Sequence, residues 1–176
     1  MKVIFLGSQG SGKSTQAKLL AGVLNLPYLE MGQLLRDRAN QNDELALKIK
    51  SALDKGDLVT DEITISILQE KIAQSEFQNG YILDGYPRNY VQLEALDKDI
   101  DKVFYIKISD GEAIKRLSLR KREDDTKYIL AKRLAVYHQQ TEPLLADFRK
   151  RRVLEEIDGE HSIEETHRDV LKKINK

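Results

Sequence analysis

Gly7-Ser8-Gln9-Gly10-Ser11-Gly12-Lys13-Ser14 follows an apolar run, Lys2 to Leu6, and opens an amphipathic stretch that continues to Leu24. The octet satisfies G-x-x-x-x-G-K-[ST], and a strand before it with a helix after it is the setting in which that spacing has a mechanism. Glycines let the backbone curl until successive N–H groups point at phosphate oxygens, and the helix N-terminus adds about half a positive charge. Lys13 then reaches the β and γ phosphates, and Ser14 offers a hydroxyl to magnesium. Such a loop announces a nucleotide binder. Switches, motors and small-molecule kinases all share it, so the reaction has to be read elsewhere.

Outward from the loop, short apolar runs alternate with longer amphipathic ones, the pattern of βα units and a mainly parallel sheet. Strands are expected at Lys2 to Leu6, Tyr28 to Glu30, Tyr81 to Leu83, Val103 to Ile108 and Val153 to Ile157. Helical spacing puts Leu19, Leu20, Val23 and Leu24 on the core face of Ser14 to Leu24, and repeats Ile63, Ile67 and Leu68 over Asp61 to Ala73. Ser162 with Glu165 is a capping box that starts the last helix near Ile163, while Thr60, Asn89 and Ser109 read as further N-caps. Neither a repeat nor a proline- or glycine-rich linker divides the chain, so one domain over residues 1–176 is expected, with a mostly helical insertion over 31–60.

Composition narrows the class. The 176 residues carry 29 basic and 29 acidic side chains, no cysteine and 40 % hydrophobic residues. A chain of this length buries roughly 70 % of its unfolded surface, so it needs no disulfide or structural metal to hold a core. Without cysteine there is no thiolate zinc site and no cysteine nucleophile, which fits a reducing compartment. Balanced charge, with few aromatics near the basic clusters at 115–122 and 149–152, argues against a nucleic-acid partner, and Arg149 to Arg152 read as a solvated patch. The apolar start is too short for a signal peptide or a membrane span. A soluble, cytoplasmic protein is expected.

Three further motifs choose the reaction. They are Gly32-Gln33-Leu34-Leu35-Arg36 with Gly56-Asp57-Leu58-Val59-Thr60-Asp61-Glu62; Asp84-Gly85-Tyr86-Pro87-Arg88 with Gln92; and Arg116-Leu117, Arg120, Asp124-Asp125 and Lys132-Arg133-Leu134. With these, the sequence resembles the nucleoside monophosphate kinases, and the adenylate kinase family most closely, over nearly its full length. The resemblance implies a P-loop three-layer α/β/α fold with a five-stranded parallel sheet and a small helical insertion for the monophosphate. It also implies magnesium-dependent transfer of a phosphoryl group from ATP to AMP, giving two ADP. Gly10, Ser11, Gly12, Lys13, Ser14, Thr15, Arg116 and Arg120 would then bind ATP. Met31, Gly32, Arg36, Gly56, Leu58, Val59, Gly85, Arg88, Gln92 and Arg133 would bind AMP, with the Gln92 amide suited to the N6 and N1 edge of adenine. Ser14 and Asp84 would serve magnesium, Asp84 through water, from the strand's carboxyl edge where open α/β sheets bind ligands.

The chemistry asks for such a set on its own account. Two unit anions 4 Å apart repel by about 4 kcal/mol at an effective dielectric of 20, and a polyphosphate meeting a monophosphate makes several such pairs. Phosphoryl transfer needs positioning and charge stabilisation above all, and one arginine can contribute about 10³ to 10⁵ in rate. Lys13, Arg88, Arg120, Arg122 and Arg133 are the expected catalytic cations. The acceptor phosphate is already nucleophilic, so none of His138, His161 and His167 is needed as a base, and all three read as surface residues.

The chain departs from the family at three places. Met31 stands where a threonine is usual, which keeps a CMP, UMP or other small acceptor as the alternative; a nucleotide switch or a nucleic-acid-binding ATPase is more remote. Ser14 replaces a glycine. Only Lys121, Arg122 and Glu123 separate Arg120 from Asp124, at most about 14 Å of extended chain, so the lid is reduced to a vestige over 121–125 and no zinc-binding lid is expected. ATP, AMP and ADP are the expected partners of a protein more readily monomeric than oligomeric.

Overall fold

The structure is a computed structural model and describes residues 1–119 and 127–174. Five strands form the sheet: β1 (Lys2–Leu6), β2 (Tyr28–Glu30), β3 (Tyr81–Asp84), β4 (Lys102–Lys107) and β5 (Leu154–Asp158). All pairings are parallel, in the order β2-β3-β1-β4-β5. Between them run α1 (Lys13–Leu24), α2 (Met31–Ala39), α3 (Glu44–Asp54), α4 (Asp61–Ile72), α5 (Tyr90–Glu94), α6 (Asp110–Leu119), α7 (Lys127–Val136), α8 (Leu145–Lys150) and α9 (Ile163–Ile174). The expected α/β architecture with a five-stranded parallel sheet is therefore present.

Strand alternation divides the core into two layers. Val3 and Phe5 of β1 point to the face covered by Ala17, Leu20 and Ala21 of α1 and by Val170 and Ile174 of α9. Ile4 and Leu6 point to the opposite face, where Leu68 of α4, Tyr137 and Leu145 and Phe148 of α8 pack. Phe5 and Phe104 stack across the β1–β4 pair with centroids 5.2 Å apart. Being buried on both faces is why these strands read as unbroken apolar runs.

Helix α1 corrects one expectation. Its buried residues are Gln16, Ala17, Leu20 and Ala21, while Leu19 and Val23 are exposed. The sheet takes the face with two alanines, which lets the helix approach closely, and the large aliphatics one step round face out. The Asn89 carboxamide caps α5 by accepting from Gln92 N at 2.9 Å, and Ser162 with Glu165 forms the expected reciprocal box. Thr60 makes no side-chain cap; the first turn of α4 instead carries Asp61 and Glu62, which suit the positive end of the helix dipole. Among the described residues, no helix is long and apolar enough to cross a membrane.

Candidate active site

The site grows from the carboxyl ends of β1, β2 and β3. β1 delivers the octet, whose curl depends on Gly10 at φ +82° and Gly12 at φ +87°, both in the left-handed region. Gly10 also has no room for a side chain, since a Cβ there would lie 2.9 Å from Ala113 O of α6. Gly12 caps α1 without a side-chain acceptor, and no acidic residue occupies the first turn. Those N–H groups and the dipole are therefore offered to an anion. Lys13 donates to Ser8 O at 3.3 Å, folded back over its own loop.

The cleft above the loop is lined by Gln9, Lys13 and Ser14, by Glu30, Gly32 and Arg36 after β2, by Gly56, Asp57 and Leu58, and by Asp84, Gly85 and Arg88 after β3. Arg133 and Val136 of α7 close one side, with Tyr137 and Thr141 from the π-helical turn that follows. Of the residues expected from sequence, Lys13, Ser14, Gly32, Arg36, Gly56, Leu58, Asp84, Gly85, Arg88 and Arg133 thus share one cleft. Three guanidinium groups meet here. A Cβ on Gly32 would stand 3.2 Å from Arg36 Nη1 and 3.8 Å from Arg88 Nη2. Burial lowers the pKa of Arg88, and the charges of Arg133 and Arg36 lower it further, against the opposing pull of Asp84 and Glu30. Cations crowded in this way gain from a dianionic phosphate between them.

Other expected residues stand elsewhere. Met31 and Val59 are core residues, at 1 % and 4 % exposure. Arg116 lies beside the phosphate loop, its Nη1 4.0 Å from a Cβ placed on Gly12, and its Nε donates to Glu112 at 2.7 Å. Thr15 is exposed and Ser11 buried. Gln92 is 1 % exposed and both its amide atoms are engaged: Oε1 accepts from Arg88 N at 2.8 Å, and Nε2 donates to Asp61 at 2.9 Å. It fixes the backbone of Arg88, whose carbonyl accepts from Thr141 Oγ1 at 2.8 Å. Arg120, Arg122 and the 121–125 segment lie outside the described residues. His138 and His161 are exposed as expected, but His167 is half-buried with Nδ1 3.1 Å from Gln16 Oε1, and burial lowers its pKa.

On the anionic side of the cleft, sequence reading named Asp84 but missed Glu30 and Tyr28. Asp84, 1 % exposed, accepts from the Tyr28 hydroxyl at Oδ2, 2.9 Å away, while its Oδ1 is buried with no protein partner. The same hydroxyl lies 3.1 Å from Glu30 Oε2, and Glu30 Oε1 accepts from Arg36 Nη2 at 2.9 Å. Burial raises the pKa of Tyr28, and Asp84 and Glu30 raise it further, so the hydroxyl keeps its proton. Burial also works to raise Glu30, but the bond and charge of Arg36 hold it below the usual carboxylate range. The carboxyl-edge rule applied to Asp84 would have found Glu30 too, because both end neighbouring strands.

A buried, unpartnered carboxylate oxygen beside a serine hydroxyl fits a hydrated magnesium ion. That ion keeps several waters and leans on one or two protein oxygens plus substrate phosphates. No cluster of three or more His, Cys, Asp or Glu side chains that could hold a metal ion occurs among the described residues.

Comparison with known proteins gives one family. The model for adenylate kinase matches residues 5–153. An adenylate kinase of Methanocella arvoryzae is 35 % identical, with 100 % of this chain and 99 % of that protein covered. One from a Mycobacterium species is 36 % identical with both chains covered in full, and one from Thermobifida fusca is 38 % identical over 94 % of this chain and 93 % of its own. The Methanocella alignment runs over 214 positions against a chain of 176, so that relative carries residues with no counterpart here. The Mycobacterium alignment runs over only 183.

Proposed function

The chain belongs to the adenylate kinase family, and on that premise we propose how its residues divide the reversible transfer of a phosphoryl group from ATP to AMP, which yields two ADP. The observation that carries the reading is the convergence of Arg36, Arg88 and Arg133 on a cleft whose floor is the phosphate loop with Lys13. The loop's N–H groups and Lys13 hold the donor's polyphosphate, with Arg116 at the outer end of that loop. Arg36 and Arg88 hold the acceptor phosphate within the arm formed by α2, α3 and the Gly56 to Val59 segment. Gln92 serves the acceptor indirectly by fixing Arg88. Arg133, with Arg120 and Arg122 from the linking segment, stabilises charge on the transferring group. Ser14 and Asp84 orient a hydrated magnesium ion, which when bound neutralises phosphate charge.

What these groups supply is electrostatic and geometric. Donors already fixed in a cleft cost no reorganisation when charge shifts between nucleotides. Lys132 bonds Lys55 O at 2.9 Å and pairs with Asp57 at 2.6 Å, which pins the acceptor segment against α7 and so against Arg133. A pyrimidine monophosphate acceptor, kept open by Met31, is not favoured by relatives named adenylate kinase over the whole chain. We place the enzyme in the cytoplasm as a monomer without nucleic-acid partners; its balanced charge and lack of cysteine support this.

The test is ADP formation from ATP, AMP and magnesium. Lys13→Ala and Arg88→Ala should each lower kcat/KM by about 10² or more, as loss of a preorganised donor does elsewhere. Turnover retained in either variant means that the cleft is misassigned.

A further inference from the structure

Glu30 and Asp84 are partnered positions on adjacent parallel strands. Like charges set across from one another are normally destabilising. Here one side of each carboxylate is occupied by the same group: the Tyr28 hydroxyl lies 2.9 Å from Asp84 Oδ2 and 3.1 Å from Glu30 Oε2. The remaining oxygens face different ends of the cleft. Glu30 Oε1 holds Arg36, while Asp84 Oδ1 is buried with no protein partner.

A hydroxyl has one proton and can donate it to one carboxylate at a time. Arg36 bonds Glu30 directly, whereas the charge of Arg88 acts on both Asp84 and Glu30, and Asp84 has the shorter contact with the hydroxyl. Of the other cations that act on Glu30, Lys18 stands 3.9 Å away with 61 % of its side chain exposed and compensates little, and Arg88 is shared with Asp84. If Arg36 turns toward an acceptor phosphate, Glu30 loses its main counter-charge and draws the hydroxyl. Asp84 then keeps its full charge and both oxygens for the magnesium side.

We propose that Tyr28 and Glu30 are positioning residues that couple the two ends of the cleft: engagement of the acceptor phosphate by Arg36 strengthens Asp84 toward hydrated magnesium through the shared Tyr28 hydroxyl. The inference rests on the adenylate kinase reading, with Arg36 on the acceptor and Asp84 on the metal side. Nothing is transferred; the tyrosine proton changes its acceptor and stays on the same oxygen. By linkage the coupling is reciprocal, so magnesium must tighten AMP binding as much as AMP tightens magnesium.

The test is calorimetric titration of the full chain with AMP in the presence of a non-hydrolysable ATP analogue, with and without magnesium. Wild-type protein should bind AMP about fivefold more tightly with magnesium, the low end of typical coupling. Tyr28→Phe, which keeps the ring and removes the proton, should bring the ratio to within about twofold of unity. Glu30→Gln should do the same and also tighten AMP binding without magnesium, because the competitor for Arg36 is gone. A magnesium ratio unchanged in Tyr28→Phe, or absent from wild type, overturns the proposal. Arg36→Ala separates this from failure of the underlying reading: AMP affinity unaffected by that variant would sink the site assignment itself, whereas weakened affinity alongside a Tyr28-independent ratio sinks the coupling alone.

Discussion

At Gly10 two demands fall on one residue, a left-handed backbone and contact with α6 that leaves no space for a methyl group. Gly10→Ala should destabilise the fold by about 1–3 kcal/mol, the range for an L residue forced into such a conformation. It should also weaken ATP binding; urea denaturation and nucleotide titration check the two effects. The glycine was legible from spacing alone because the motif encodes backbone shape. Lys13 was legible from the same motif, and Arg36, Arg88 and Arg133 from the motifs that resemble the adenylate kinase family, in a chemistry that calls for cations. The carboxylates were not. Asp84 came from its strand edge, but Glu30 acquires its meaning only once β2 is paired with β3, and sequence spacing does not state register. The partners of Gln92 were not legible for a related reason: an amide that suits adenine also suits a backbone N–H and an aspartate, and only the fold brings Arg88 N and Asp61 to it.

Among elements, the π-helical turn Tyr137–Thr141 was invisible to periodicity, yet it supplies two residues of the cleft wall. Its His138 lies between Glu142, 2.7 Å from Nδ1, and Asp110 at the start of α6, 2.9 Å from Nε2. Bonds to Glu142 and then Asp110 raise the histidine pKa above its ordinary 6.5. The folded state therefore binds this proton more tightly than the unfolded state. The stabilisation is complete below pH 6.5 and disappears as pH climbs through the raised value. His167, lowered by burial, acts oppositely and costs stability as pH falls below 6.5. Thermal melts from pH 5 to 8 should show the His138 contribution as a gain toward acid that His138→Gln removes, leaving the opposing loss from His167. The strands, by contrast, were legible to within one residue at each end; in β1, β3 and β4 burial on both faces leaves a short, nearly continuous apolar run.

For the whole molecule, the sequence leaves only Lys121, Arg122 and Glu123 between Arg120 and Asp124, where a vestigial lid is expected. A lid excludes water from the transferring group. Phosphate release from ATP in the absence of AMP should therefore be higher, relative to transfer, than for an adenylate kinase that carries a full lid, and a phosphate assay on both proteins decides it; equal ratios would show that so short a segment shields the donor as well as a longer one. The placement of β1 has an effect of another kind. That strand is bonded on one side to β3, Lys2 against Tyr81, and on the other to β4, Val3 against Lys102. It precedes both in the chain, with residues 7–80 between it and β3 and residues 7–101 between it and β4, so it can acquire neither neighbour as it is made. The nucleotide cradle therefore waits, in the nascent chain, for strands made well after it, and until then its apolar strand depends on the cell to keep it from the wrong company.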